Sequence, residues 1–195
     1  NLRAFRLVVL AHARENPAQF PLPDVFFLPE RRYTKGWFQY QIDRRLFRLV
    51  PHERLARQKR VRLLHAHFGG SGILALPLKR RLRVPLFTSF HGYDMSRRST
   101  LEEMEGAYRE LFTEGDLFLV GGHYMRRRLV ELGCPEGKIE VHHLGIDTQK
   151  FGFAPRRPRD DGKAVFLFVG RFTEKKGLPY ALQAISLVYP SHKNI

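Results

Sequence analysis

Polar side chains gather where the apolar runs of this chain stop. Val61–Leu64 is followed by His65 and His67, two apart and so on one strand face, and then by Gly69 and Gly70. Val84–Phe90 leads into His-Gly-Tyr-Asp (His91 to Asp94), Asp116–Val120 into Gly121-Gly122, Lys138–His143 into Gly145-Ile146-Asp147, and Ala164–Val169 into Gly170-Arg171. A His-x-His pair at a strand end can bind a metal, with His91, His142 or His143 and Asp94 completing the shell. Hydrogen-bonding histidines of the scaffold are the plainer reading, and no acidic bridging residue follows the pair. Gly-Gly-Ser-Gly, 69–72, could cradle a phosphate on backbone amides or merely satisfy a tight strand–helix turn. The Arg171–Lys176 turn says more. A strand delivers Arg171, and Lys175, Lys176 and Gly177 open a helix whose N-terminus carries partial positive charge. An arginine fork, a lysine point charge and that terminus together could neutralise a diphosphate. A solvated basic turn is the alternative.

The elements that must hold these groups alternate regularly. Apolar runs of strand length occur at Phe5–Ala11, Asp24–Leu28, Val61–Phe68, Val84–Gly92, 116–121 and 138–147. Between them lie an amphipathic stretch over Gly36–Lys59, expected to break at Pro51, and helical segments at 73–82, 99–112 and 123–133. The segment at 99–112 carries a serine or threonine cap with acids in its first turn, and that at 123–133 ends at Gly133, a left-handed stop. Strands alternating with helices give an α/β fold, a doubly wound Rossmann-like parallel sheet, where ligands bind beyond the carboxyl ends of the strands. Residues 1–147 form that domain. The pattern lapses over 148–163, polar and rich in Pro and Gly, which reads as a linker. A strand and helix at 164–195 then begin a second unit.

Composition bounds the function. The 195 residues are 43% hydrophobic and 12% aromatic, a globular balance. The single cysteine, Cys134, excludes a disulfide framework and a cysteine zinc cluster. No apolar run approaches the roughly 20 residues that span a bilayer. Lys and Arg number 34 against 19 Asp and Glu, a formal charge of +15, which suggests an anionic partner or an arginine-rich surface without one.

Taken in order, "HAHFGGSG", "FTSFHGYD", "GHYMRRRLVELGCPEGKIEVHHLGID" and "FVGRFTEKKG" resemble the family 4 retaining glycosyltransferases of GT-B fold, most closely those of exopolysaccharide and colanic acid biosynthesis. The resemblance covers most of the chain from Val61 onward. It implies two Rossmann-like domains, the first receiving the acceptor and the second a nucleotide-diphosphate sugar, with the active site in the cleft between them. By that resemblance His91 contacts the donor sugar and supports transfer, and Arg171 and Lys176 hold the donor diphosphate. Gly145 leaves room for the donor, and His67, Gly69, Gly70 and Asp94 lie on the acceptor side.

The family's opening strand, its Gly-rich loop and its acidic E-x7-E motif have no counterpart. The resemblance therefore implies a chain cut at both ends, whose residues 1–195 alone transfer no sugar. It further implies transfer with no metal or other cofactor, and a saccharide or lipid-linked acceptor in surface polysaccharide synthesis. The expected place of work is cytoplasmic, either free or against the anionic inner face of the plasma membrane. Two rival readings have their own residues. A basic nucleic-acid binder would use arginines interleaved with aromatics, as at 31–33. A metal-dependent hydrolase would use His65, His67 and His91. No nucleic-acid-binding motif supports the first, so no nucleic-acid partner is expected.

Overall fold

A computed structural model of the chain describes residues 6–11, 16–19, 21–27, 50–96, 98–155 and 161–194. They fall into two compact units, Asn1–Leu144 and Gly145–Ile195. The amphipathic stretch expected from Gly36 lies outside the described residues as far as 49.

In the first unit β1 (Val9–Ala11) and β2 (Val25–Phe27) form a parallel pair. Helix α1 (Val50–Gln58) then precedes a run of β3 (Leu64–His67), α2 (Gly69–Leu82), β4 (Leu86–Phe90), α3 (Tyr93–Ser96), α4 (Arg98–Glu114), β5 (Leu117–Val120), α5 (His123–Glu131) and β6 (Ile139–Val141). The last four strands make one parallel sheet in the order β3-β4-β5-β6. An α/β fold with parallel, Rossmann-like strands is what the alternation implied. Among the described residues no ladder joins the β1–β2 pair to this sheet. Whether the stretch breaks at Pro51 depends on residues before 50, which lie outside the described residues. Within the described residues Pro51 is the second residue of α1.

Register sorts the strand residues onto two faces. Ala66, Thr88, Phe118 and Ile139 stand side by side across the sheet, and Phe90 beside Val120. All six are buried, in the cluster that also takes Ile73 and Leu76 of α2, Leu111 and Phe112 of α4 and Leu129 of α5, or pressed against it. The alternate face carries His65, His67, Phe87, Leu117 and Leu119, each at least partly open to solvent. Consecutive strand order with right-handed crossovers places the three connections on the first face. The sheet therefore has a packed side and a polar-edged side, and the histidines belong to the second.

Close approach fixes two glycines. A Cβ on Gly72 would lie 2.7 Å from Thr88 Oγ1, and one on Gly69 2.6 Å from the Tyr108 hydroxyl. Helix α4 ends where Lys138 Nζ donates to the carbonyls of Phe112, Thr113 and Gly115 at 3.0, 2.8 and 2.9 Å, capping groups that no helical N–H reaches. Gly133 has φ 91, the left-handed stop its position suggested.

In the second unit a short 3-10 turn, Glu174–Lys176, leads through Gly177 (φ 72) into α6 (Leu178–Val188). The strand expected at Ala164–Val169 is not formed. Among the described residues no segment pairs with it, and Leu167 and Val169 are each 85% exposed. An apolar run becomes a strand only when a neighbour supplies the ladder. Among the described residues no helix is long and apolar enough to cross a membrane.

Candidate functional site

The carboxyl ends of β3 and β4 bring three histidines together. Because Ala66 faces the core, His65 and His67 point the other way, and their rings stack with centroids 4.7 Å apart. His65 Nε2 lies 2.8 Å from Ser89 Oγ of β4. One residue beyond β4, His91 Nε2 lies 3.0 Å from His67 Nδ1, with the two rings nearly parallel. One proton serves that nitrogen pair, so one imidazole donates and the other accepts. Partial burial, and then the neighbouring imidazoles, hold His65 and His67 below the ordinary histidine value. All three rings remain accessible to solvent.

Asp94 does a different job. It is only 2% exposed, and its carboxylate accepts the N–H of Gly69 at 2.9 Å and the N–H of His91 at 3.0 Å. The Tyr108 hydroxyl donates to its backbone carbonyl at 2.6 Å. Burial and then the Asp94 charge push that hydroxyl well above the usual tyrosine range, so it stays a donor. Asp94 thus ties the β3–α2 turn to the β4–α3 turn and fixes the backbone from which His91 projects. Gly92, at φ 98, lets the chain double back to place this carboxylate.

The Gly-Gly-Ser-Gly segment is the first turn of α2, not a loop before it. The Gly69 N–H is taken by Asp94 and the Gly72 N–H by the Phe68 carbonyl, so two amides of the supposed cradle are occupied. Steric need accounts for Gly69 and Gly72. Gly70 is different, since an added Cβ there would meet nothing within 4 Å.

Among the described residues no group of three or more His, Cys, Asp and Glu could hold a metal ion. The polar groups at the strand ends are engaged with one another and with backbone. The facing nitrogens of His67 and His91 are joined to each other, Asp94 faces backbone amides, and His143 Nδ1 lies 3.1 Å from the Gly121 carbonyl. Among the described residues, then, nothing assembles the centre of a metal-dependent hydrolase.

In the second unit Arg171, Lys176 and Gly145 are all exposed. The Arg171 carbonyl accepts from Thr173 N at 2.8 Å, and the Thr173 carbonyl from Lys176 N at 2.9 Å, which folds the turn tightly. Among the described residues neither Arg171 nor Lys176 has a carboxylate partner, so both charges are free to meet an anion. Elsewhere many cations are paired: Arg57 and Arg81 with Glu53, Arg80 with Glu110 and Glu114, Lys59 with Asp24, Lys79 with Asp116. A cavity of about 430 Å³ lies among Lys79, Arg80, Arg83 and Asp116 at the opposite end of the strands. Its lysine and Arg80 are engaged with acids, so it is a poor anion site.

Sequence reasoning missed Ser89, Tyr108, Phe68 and Tyr93. Ser89 was recoverable from alternation, as the position in "FTSFH" on the same face as the histidines. Nothing in the sequence marks Tyr108 or the backbone of Phe68.

A family model described as Glycosyltransferase Family 4 matches residues 3–150. The chain is 38% identical over 125 residues to the putative colanic acid biosynthesis glycosyltransferase WcaL of Escherichia coli (strain K12), covering 61% of this chain and 30% of that protein. It is also 38% identical over 124 residues to the amylovoran biosynthesis glycosyltransferase AmsK of Erwinia amylovora, covering 63% and 30%. An uncharacterized glycosyltransferase of Bacillus subtilis (strain 168), YqgM, is 28% identical over 170 residues, or 84% of this chain and 46% of that one. The matched segment spans about a third of the length of the first two relatives.

Proposed function

Because the chain belongs to glycosyltransferase family 4, we propose that the whole protein is a retaining hexosyltransferase. It moves a sugar from a nucleotide-diphosphate donor to a saccharide or lipid-linked saccharide during surface polysaccharide synthesis. Two relatives named for colanic acid and amylovoran biosynthesis support the choice of product.

In retention the acceptor hydroxyl approaches on the face from which the diphosphate leaves. The C–O bond to the diphosphate breaks, the new glycosidic bond forms, and the hydroxyl proton passes to the departing phosphate oxygen. Negative charge grows on that leaving group. Arg171 and Lys176, unpaired among the described residues beside the start of α6, suit its stabilisation without a metal or other cofactor. His91 contacts the donor sugar, and Gly145 leaves the donor room. His67 and the turn at Gly69 and Gly70 stand on the acceptor side, positioned by Asp94. The protein works at the cytoplasmic membrane face, where each basic residue near anionic headgroups contributes on the order of 1 kcal/mol.

One observation carries the reading: an accessible histidine at the carboxyl end of a parallel strand, its backbone N–H gripped by a buried carboxylate. The test is radiolabelled transfer by the full-length protein from a panel of UDP- and GDP-sugars, with the anomer of the product determined. His91→Ala should lower turnover by on the order of 100-fold while changing stability by less than about 0.5 kcal/mol. An inverted product, or full turnover in the variant, refutes the assignment.

A further inference from the structure

Phe68 has a backbone that bulky residues rarely adopt. With φ 72 and ψ 145 it stands close to a region that is nearly glycine-only. Its surroundings hold it there. Its N–H donates to the Ser89 carbonyl at 2.8 Å, its carbonyl accepts from Gly72 N at 3.1 Å, and the next N–H goes to buried Asp94. The strained residue is then not used to fill the core. Its ring lies on the surface, 41% exposed, 4.7 Å from the His91 ring and 6.1 Å from the edge-on ring of Tyr93, itself 48% exposed. The ground beside these rings is open, since a Cβ added at Gly70 or Gly92 would meet nothing within 4 Å. Neither aromatic has a part in the chemistry above.

We infer that Phe68 and Tyr93 form a shelf for one pyranose ring of the saccharide acceptor, whose hydroxyls turn to the imidazoles of His67 and His91. The inference rests on the transferase reading and names the acceptor subsite within it. A pyranose offers two kinds of surface. Its C–H face is weakly polarised and is drawn to the negative face of an aromatic ring. Its hydroxyl rim loses water on binding and needs partners that can both donate and accept, which neutral imidazoles do. Aromatic rings edged by a few convergent polar groups are what such a ligand requires. Backbone strain retained to keep a phenyl ring in solvent has a function if that ring meets a ligand. A nucleobase could also stack here, so it forms a separate arm of the test.

The experiment uses the full-length protein with methyl β-D-galactopyranoside and methyl α-D-glucopyranoside as probes and uridine as the competing arm. Saturation-transfer NMR should show magnetisation passing from aromatic protons to the C–H protons of a glycoside. Phe68→Leu and Tyr93→Leu keep apolar bulk but lack the ring face, and each should weaken glycoside binding by about tenfold. Phe68→Tyr should restore it. Tyr93→Leu, at the more exposed position, keeps the test valid if Phe68→Leu folds poorly. Glycosides that bind the leucine variants as well as wild type, or that bind none of the proteins, overturn the shelf. Saturation taken up by uridine in place of the glycosides overturns it too. Transfer from nucleotide-sugars, followed in the same samples, shows separately whether the enzyme reading stands.

Discussion

Asp94 is where a single substitution should do the most damage. Its two carboxylate oxygens accept the N–H groups of Gly69 and His91 in a site 2% exposed. A hydrogen bond to a charged acceptor contributes about 1.5–3 kcal/mol. Two of them make about 3–6 kcal/mol, and water entering the space left by alanine recovers part of it. Asp94→Ala should therefore cost about 3 kcal/mol, read as a shift in the urea midpoint at unchanged slope. Asp94→Asn keeps the volume and one accepting oxygen but turns an NH2 toward the second N–H. It should cost roughly half as much. If the carboxylate sets the backbone of His91, Asn should also lower kcat with little change in KM for the donor. An asparagine variant as stable as wild type, or an alanine variant costing under about 1 kcal/mol, would show that the two turns hold their shape unaided.

The histidines predict a pH effect. A histidine held below its ordinary value of 6.5 favours the neutral form in the folded state, so its contribution is complete above 6.5 and is lost as pH falls through the lowered value. Stability should decline on acidification below about 6.5, and His65→Gln with His67→Asn should flatten that slope; an identical slope in the double variant refutes the attribution. Thr88 is fully buried, and its hydroxyl has no hydrogen-bond partner among the described residues. Thr88→Val keeps the shape and removes the unpaired group, so it should raise stability by about 1 kcal/mol in thermal or urea unfolding, and a loss of that size would mean the hydroxyl is satisfied.

What could be read from the sequence followed physical range. Strand-length apolar runs and a period of two placed β3 to β6, because burial on the sheet's packed face is written locally into Ala66, Thr88, Phe118 and Val120. The same rule put His65 and His67 on one face. Their partners were out of reach, because partners depend on register between strands more than twenty residues apart. Opposing Ala66 to Thr88 is what brings Ser89 to His65 and His91 to His67. The run at Ala164–Val169 shows the limit from the other side: its composition promises a strand, but composition cannot promise a neighbour.

Burial divides the strand-end residues in a way that spacing cannot. His91 and Asp94 are three apart and equally suited by type to touch a ligand, yet one is exposed and the other sealed behind two amides. The division has a cause. A carboxylate inside the turn can satisfy donors from both strand ends at once, while an imidazole there would have too few acceptors to compensate its burial. With the carboxylate inside, both turns become rigid, and the rigid turns are what force Phe68 into its unusual backbone and outward ring. The buried carboxylate therefore determines where His91 and Phe68 stand. An Asp94→Asn protein should accordingly weaken glycoside binding and lower kcat together, whereas Tyr93→Leu should weaken glycoside binding and act on transfer mainly through a raised KM for the acceptor. If the asparagine variant separates the two effects, the latch does not govern both turns.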